Sequence, residues 1–254
     1  MTEISFIAIL FAILGGVLPT LAWLLFWLRE DKTHPEPKKM IALAFLGGIV
    51  AVLLSLCLEK LINSINIDTL FSFKFFNPFL HWMESYANRE NLIFKSLLMV
   101  TVFAPIIEEI IKYVIAYIFV LKSREDDEPI DPVIYMITIA LGFAAIENTF
   151  FLIDPFVKND VIMGILTGNM RFVGATLLHI ISSATIGLFI GFNFFDSKIK
   201  KFFWTLAGLL SAIALHSLFN FFIINNEGSS TFAALEVIWV IVIIILLLLE
   251  KLKK

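Results

Sequence analysis

Five ionisable residues lie inside apolar stretches where a chain bound for lipid would ordinarily place none: Glu108, Glu109, Glu147, His179 and His216. Such a group at mid-span costs about 2.5–3.5 kcal/mol on insertion scales, so each is a functional candidate by default. Carboxylates held close together in an apolar site do not both ionise readily, which gives one acid and one base. Two imidazoles with one or two carboxylates also make a zinc-type ligand set, and the same groups can relay protons or cations. Lys112, Asn148, Arg171 and Asn220 accompany them. Glu108 and Glu109 precede Lys112 by four and three residues, so one ammonium can neutralise a carboxylate on the same helix face. His216 and Asn220 share the i,i+4 spacing, as do His179 and Ser183. Pro105, one turn before the glutamates, loosens the helix there.

The elements that must position these groups are membrane helices. The chain has 254 residues, of which 59% are hydrophobic and 16% charged, with a mean hydropathy of +0.93. An average soluble domain carries about 25% charged residues. This composition excludes disorder, a collagen-like fibre and a disulfide scaffold. It predicts an all-α, polytopic transmembrane helical bundle forming a single membrane domain over 1–254. Seven apolar runs are long enough to span: roughly 5–28, 40–62, 92–121, 133–153, 161–195, 202–224 and 231–249. The fifth is too long for one simple span. A break at Gly168-Asn169 would leave a short lead-in helix before a span from about Met170, giving eight helices. The N-terminal run has Glu3 where a signal peptide has a basic region, so it is read as a retained helix.

Lysine and arginine set the orientation. Alternate connections collect twelve of them on one side (Arg29–Lys39, Lys122–Arg124, Lys198–Lys201 and Lys251–Lys254) and three on the other (Lys74, Arg89, Lys158). The positive-inside rule then puts the C-terminus in the cytoplasm and the N-terminus outside. The net charge of −3 and the lack of a basic patch give no reason to expect nucleic acid. Cys57 is the sole cysteine and reports no redox compartment. Segment 63–91 is aromatic-rich but interrupted by Lys74, Asn77 and Pro78, which suits an interfacial or re-entrant flap, or an ordinary loop with lipid-anchoring aromatics.

Depth brings the polar groups together. At about 1.5 Å per residue, Glu108, Glu147, His179 and His216 each lie roughly 20–24 Å from the cytoplasmic end of their own helix. Four helices of alternating direction thus put them at one level, in the outer half of a core about 30 Å thick. Alone, a Glu–Lys pair is an internal salt bridge, a buried histidine a helix contact and Asn220 interhelical glue. Together they predict one polar centre.

These residues resemble a known family. Glu108–Lys112 (EEIIK) resembles the EExxK motif of PrsW-type intramembrane proteases, and Gly142–Asn148 (GFAAIEN) their GFAxxEN motif. Arg171 followed by His179, and then His216–Asn220 (HSLFN), resemble the third and fourth motifs, in the expected order. The resemblance covers about 92–224, a four-motif core beside which the other helices read as apolar filler. PrsW-type proteins are similar to the wider CAAX-protease superfamily. This sequence departs from that pattern at Glu147, four residues after Phe143 where the superfamily has histidine, and at Lys112, one position before its arginine.

The resemblance implies an endopeptidase acting on a membrane protein near the outer face of a prokaryotic cytoplasmic membrane, with a signalling role. Peptide hydrolysis needs an activated water, a stabilised oxyanion and a proton for the leaving amine. Ser182 and Ser183 neighbour His179, but no Ser-His-Asp set is apparent. On the family pattern Glu108 is the general base, Glu147 holds the water or supplies the proton, and Glu109 pairs with Lys112. His216 and Asn220 donate to the oxyanion, and His179 completes the centre, with Arg171 toward the outer surface and Asn148 in support. The preferred scheme needs no cofactor. The alternative is a zinc centre with ligands from Glu109, Glu147, His179 and His216. Two other classes use the same residues: a proton or cation transporter, which predicts ion flux, and a non-catalytic scaffold, which predicts that Glu147→Gln leaves function intact. The substrate, its cleavage site and the oligomeric state are not written in the sequence.

Overall fold

The computed structural model describes residues 6–31, 34–64, 97–225 and 229–253. Most of segment 63–91 lies outside these, as does its expected flap. The elements in order are α1 (Phe6–Trp27), α2 (Lys38–Asn63), a π-helical turn π1 (Met99–Phe103), α3 (Ala104–Phe119), α4 (Asp131–Val157), α5 (Val161–Met170), a second π turn π2 (Arg171–Ala175), α6 (Thr176–Gly191), α7 (Lys198–Asn225) and α8 (Ser229–Leu252). Among the described residues six helices are long and apolar enough to span a membrane, with α5, π2 and α6 forming one continuous rod. π1 with α3 is the described part of the seventh expected run.

The expected break at Gly168-Asn169 is corrected. The backbone stays helical there, and the Arg171 N–H bonds to the carbonyls of Thr167 and Gly168. The irregularity falls just after, at π2, where the Thr176 N–H reaches back five residues to Arg171 O. A glycine surrounded by good helix contacts costs only about 1 kcal/mol, too little to end a helix.

α4 is the axis of the bundle. It is buried along most of its length, with apolar residues on several faces, and it packs against α1, α2 and α6. Glycines permit the close crossings. A Cβ on Gly48 of α2 would lie 2.1 Å from Ile139 O, and one on Gly142 of α4 would lie 2.0 Å from Phe45 O, so the α2 and α4 backbones touch. Gly187 of α6 meets the backbone of Val133 and Pro132, and Gly16 of α1 meets Ala145 and Thr149. α1, α7 and α8 expose large apolar side chains, such as Leu25, Leu210 and Leu247, on their outer faces.

Both π turns free a carbonyl that another helix captures. Pro105 has no N–H to continue the ladder, and the Ala104 N–H reaches Met99 O. Val100 O is left over, and the Asn220 Nδ2 amide of α7 donates to it at 2.9 Å. At π2 the left-over Phe172 O accepts from Trp23 Nε1 of α1 at 3.4 Å. The turns therefore tie α3 to α7 and α6 to α1.

An acidic cluster closes the end of the bundle that bears the basic loops. Asp131, at the start of α4, accepts from the backbone N–H groups of Asp127 and Glu128 at 2.9 and 2.6 Å. Asp31 accepts from Glu36 N at 3.1 Å, and the Tyr135 hydroxyl donates to Glu36. Burial, reinforced by the neighbouring Asp131 and Asp31, pushes the Glu36 carboxyl up to about 8. Burial likewise raises Asp126 to about 7.

Candidate active site

The polar residues expected at one level meet in one place. Glu108, Glu109 and Lys112 come from α3, Glu147 and Asn148 from α4, Arg171 from π2, His179 from α6, and His216 from α7. Glu109 and Lys112 have no exposed surface, and His179 and His216 only 2% and 3%. A helix that presents Glu109 and Lys112 inward also presents Glu108, because all three fall on one face.

Each charge has a defined partner except one. Lys112 Nζ donates to Glu109 Oε1 at 2.7 Å and lies 3.0 Å from His179 Nδ1. It also sits 4.6 Å above the Phe143 ring. Arg171 reaches Glu147 Oε2 through Nη2 at 2.5 Å and Asn148 Oδ1 through Nε at 2.6 Å, with Phe151 stacked on its guanidinium at 3.8 Å. Asn148 in turn donates to Thr176 Oγ1 at 2.9 Å. Glu108 stands apart. Its Oε2 is buried with no hydrogen-bond partner among the described residues. That oxygen lies 3.8 Å from His216 Nε2, 3.9 Å from His179 Nδ1 and 3.9 Å from Lys112 Nζ.

Both imidazoles are held from behind by acids. His216 Nδ1 is 2.8 Å from Glu109 Oε1, and His179 Nε2 is 2.8 Å from Glu147 Oε2. An ionised carboxylate only accepts, so those nitrogens carry the hydrogens. The opposite ring nitrogens, His216 Nε2 and His179 Nδ1, face Glu108 and in this tautomer present lone pairs to it. In that tautomer the N–H of His216, expected as an oxyanion donor, points to Glu109. Asn220 likewise spends a donor on Val100 O and is not drawn into the cluster, although it lines the same cavity.

That cavity has a volume of about 500 Å³ and is mostly apolar. Glu108, Glu147, Arg171, His179 and His216 face it, whereas Glu109 does not line it. Ser55 and Glu59 of α2 line it too. They were missed because α2 reads as apolar filler, and their i,i+4 spacing on one face was the available signal.

A metal fit can be tested on these atoms. One donor atom from each of Glu108, Glu109, His179 and His216 lies within 4.8 Å of all the others. The unpartnered oxygens Glu108 Oε2 and Glu109 Oε2, with two inward lone pairs, form a buried donor set of the kind a divalent cation completes. A carboxylate behind each imidazole is the usual support of a histidine ligand. Glu147, a candidate ligand in the alternative zinc reading, stands behind His179 at 2.8 Å from Nε2.

A model of the PrsW family intramembrane metalloprotease matches residues 36–249. The chain belongs to the PrsW family. The match begins before α2 and runs through most of α8. A "Protease PrsW" of Geobacillus kaustophilus (strain HTA426) is 23% identical over 216 residues, covering 84% of this chain and 80% of that protein. The Clostridioides difficile (strain 630) protein of the same name is 27% identical over 199 residues, 78% of this chain and 73% of its own. That of Oceanobacillus iheyensis (strain DSM 14371 / CIP 107618 / JCM 11309 / KCTC 3954 / HTE831) is 26% identical over 233 residues, 89% and 90%. No solved structure matches. As a PrsW family member the protein is a prokaryotic integral membrane peptidase with a protein substrate in the membrane.

Proposed function

We propose that the protein is an intramembrane endopeptidase that hydrolyses a peptide bond of a membrane protein, near the outer face, at the Glu108–His179–His216 centre. One observation carries this reading. Glu108 Oε2 is the unpaired acid of the cluster, and it faces both imidazole lone pairs at the wall of the cavity.

Glu108 takes the proton of the attacking water and returns it to the leaving amine, the usual duty of a carboxylate at a peptide-hydrolysis site. Glu109 and Glu147 fix the tautomer of His216 and His179 and hold each ring in orientation. Arg171 balances Glu147 and Lys112 balances Glu109, which leaves Glu108 as the acid available for proton transfer. The apolar cavity walls exclude bulk water and strengthen every polar contact inside. Asn220 donates to Val100 O on the cavity lining, which ties π1 to α7 there.

The donor set fits zinc, which the cavity-side nitrogens of His179 and His216 would hold, leaving Glu108 for the proton. When bound, that ion supplies Lewis acidity to water and to the scissile carbonyl. A metal-free reading has its own support: the Lys112 ammonium already stands 3.0 Å from His179 Nδ1 and competes for that nitrogen.

The test compares new protein N-termini in host membranes that express wild type or Glu108→Gln at matched levels. A cleavage that vanishes in the variant is expected. Identical profiles from two folded proteins would defeat the reading. Loss of cleavage with 1,10-phenanthroline, restored by zinc, separates the metal-dependent scheme from the metal-free one.

A further inference from the structure

Glu59 is an acid on the cavity wall with no cation within ion-pair distance among the described residues. The charged described side chains around the cavity are Glu59, Glu108, Glu147 and Arg171, with His179 and His216 between them. Arg171 is committed to Glu147 and Asn148, and Lys112 lies behind Glu108 and Glu109. Glu59 is half-buried, and among the described residues it makes no ion pair or hydrogen bond. One turn earlier on the same face, Ser55 is 1% exposed and its Oγ is unpartnered among the described residues. A buried serine in a helix normally bonds the carbonyl four residues back, so an idle hydroxyl on a cavity wall has capacity for another partner. α2 is pressed against α4 by the Gly48–Gly142 crossing, and this face lines the same cavity as the catalytic cluster.

We infer that Ser55 and Glu59 form a substrate subsite for a lysine or arginine side chain that flanks the scissile bond. The inference rests on the cavity being where the proposed protease admits its substrate. A substrate segment brings a long basic side chain whose methylenes lie along Val52 and Leu56 and whose charged head reaches Glu59. Glu59 sits four residues from the end of α2, on the side that the lysine and arginine bias assigns to the outer face. Basic residues that flank a membrane span at that face therefore meet it, while an acidic one is repelled.

The test uses fluorescent single-span Leu/Ala peptides that carry Lys, norleucine or Glu, stepped through the outer third of the span. Binding is measured in nanodiscs to Glu108→Gln protein, which stops turnover, and to the same protein with Glu59→Gln or Glu59→Lys. At one register the Lys peptide is expected to bind about tenfold tighter than the norleucine peptide. Glu59→Gln removes the preference, and Glu59→Lys transfers it to the Glu peptide. Ser55→Ala, a smaller perturbation, weakens Lys binding and leaves norleucine binding alone. Equal affinities at every register, a preference that survives Glu59→Gln, or no binding by any peptide would overturn the subsite. Cleavage by protein with Glu108 intact is read separately. Selective binding without cleavage sinks the protease reading and keeps the subsite, and cleavage without selectivity does the reverse.

Discussion

His216 Nδ1 and Glu109 Oε1 lie 2.8 Å apart in a contact with almost no solvent exposure, and this pair decides which nitrogen of the ring faces the cavity. Glu109 also takes the Lys112 ammonium on the same oxygen. One carboxylate thus holds a histidine tautomer and a buried positive charge together.

Replacing Glu109 by Gln should therefore injure two properties at once. Cleavage falls by about 10- to 100-fold, the scale of losing a carboxylate behind a histidine. Stability falls by about 3–5 kcal/mol, because Lys112 keeps its charge without its main partner. Thermal unfolding in detergent and cleavage of a membrane-protein substrate read the two effects. Glu109→Gln combined with Lys112→Met should recover much of the stability and none of the activity.

A zinc ion bound at the site would compete with Lys112 for His179 Nδ1. Wild type purified without chelator should carry about one zinc per chain by mass spectrometry, the occupancy of a single closed site. His179→Ala and His216→Ala should each lose most of it, and Lys112→Met should retain zinc at higher chelator concentrations. Zinc-free wild type with full activity would favour the metal-free scheme.

Gly142 should tolerate no side chain. An added Cβ would fall 2.0 Å from Phe45 O, so Gly142→Ala must push α2 off α4. Overpacking of this kind costs about 1–3 kcal/mol, and the displaced α2 wall lowers cleavage as well. Gly168→Ala is the control. Its Cβ would meet only the Leu152 side chain at 3.7 Å, so Tm and cleavage stay near wild type.

The acidic cluster gives stability a pH dependence of definite sign. Glu36 is raised from the ordinary 4.5 to about 8, mainly by burial. Below about 4.5 it is protonated in both folded and unfolded chains, and its stabilising effect is fully present. Between there and about 8 the unfolded chain releases the proton while the folded chain retains it, so stability falls as pH rises through that window. Asp126, raised to about 7, acts in the same direction. Glu36→Gln should flatten the fall, raising Tm more at pH 8 than at pH 5 in a thermal-shift series.

Much of this protein is legible in one dimension. The seven apolar runs follow from the absence of water in the bilayer, which leaves helices as the way to satisfy the backbone. Motif order and depth place Glu108, Glu147, His179 and His216 at one level, because rise per residue is fixed by helix geometry. The irregular turn near Met170 was also visible as a region, although Gly168-Asn169 suggested a break where the chain forms π2.

Pairing between helices was not legible. Spacing gives a side chain's position along its helix, but neither the rotation of that helix nor the neighbour it meets. Backbone contacts at Gly48–Gly142 and Gly187–Val133 set the rotations of α2 and α6 against α4. Those rotations put Glu147 behind His179, leave Glu108 unpaired, and turn Ser55 and Glu59 toward the cavity. The sequence by itself determined which residues occupy the membrane and how deep they lie, since hydrophobic length and helical rise are local properties. Only the tertiary structure decided which acid supports an imidazole and which stands free, because that depends on side chains converging from four helices.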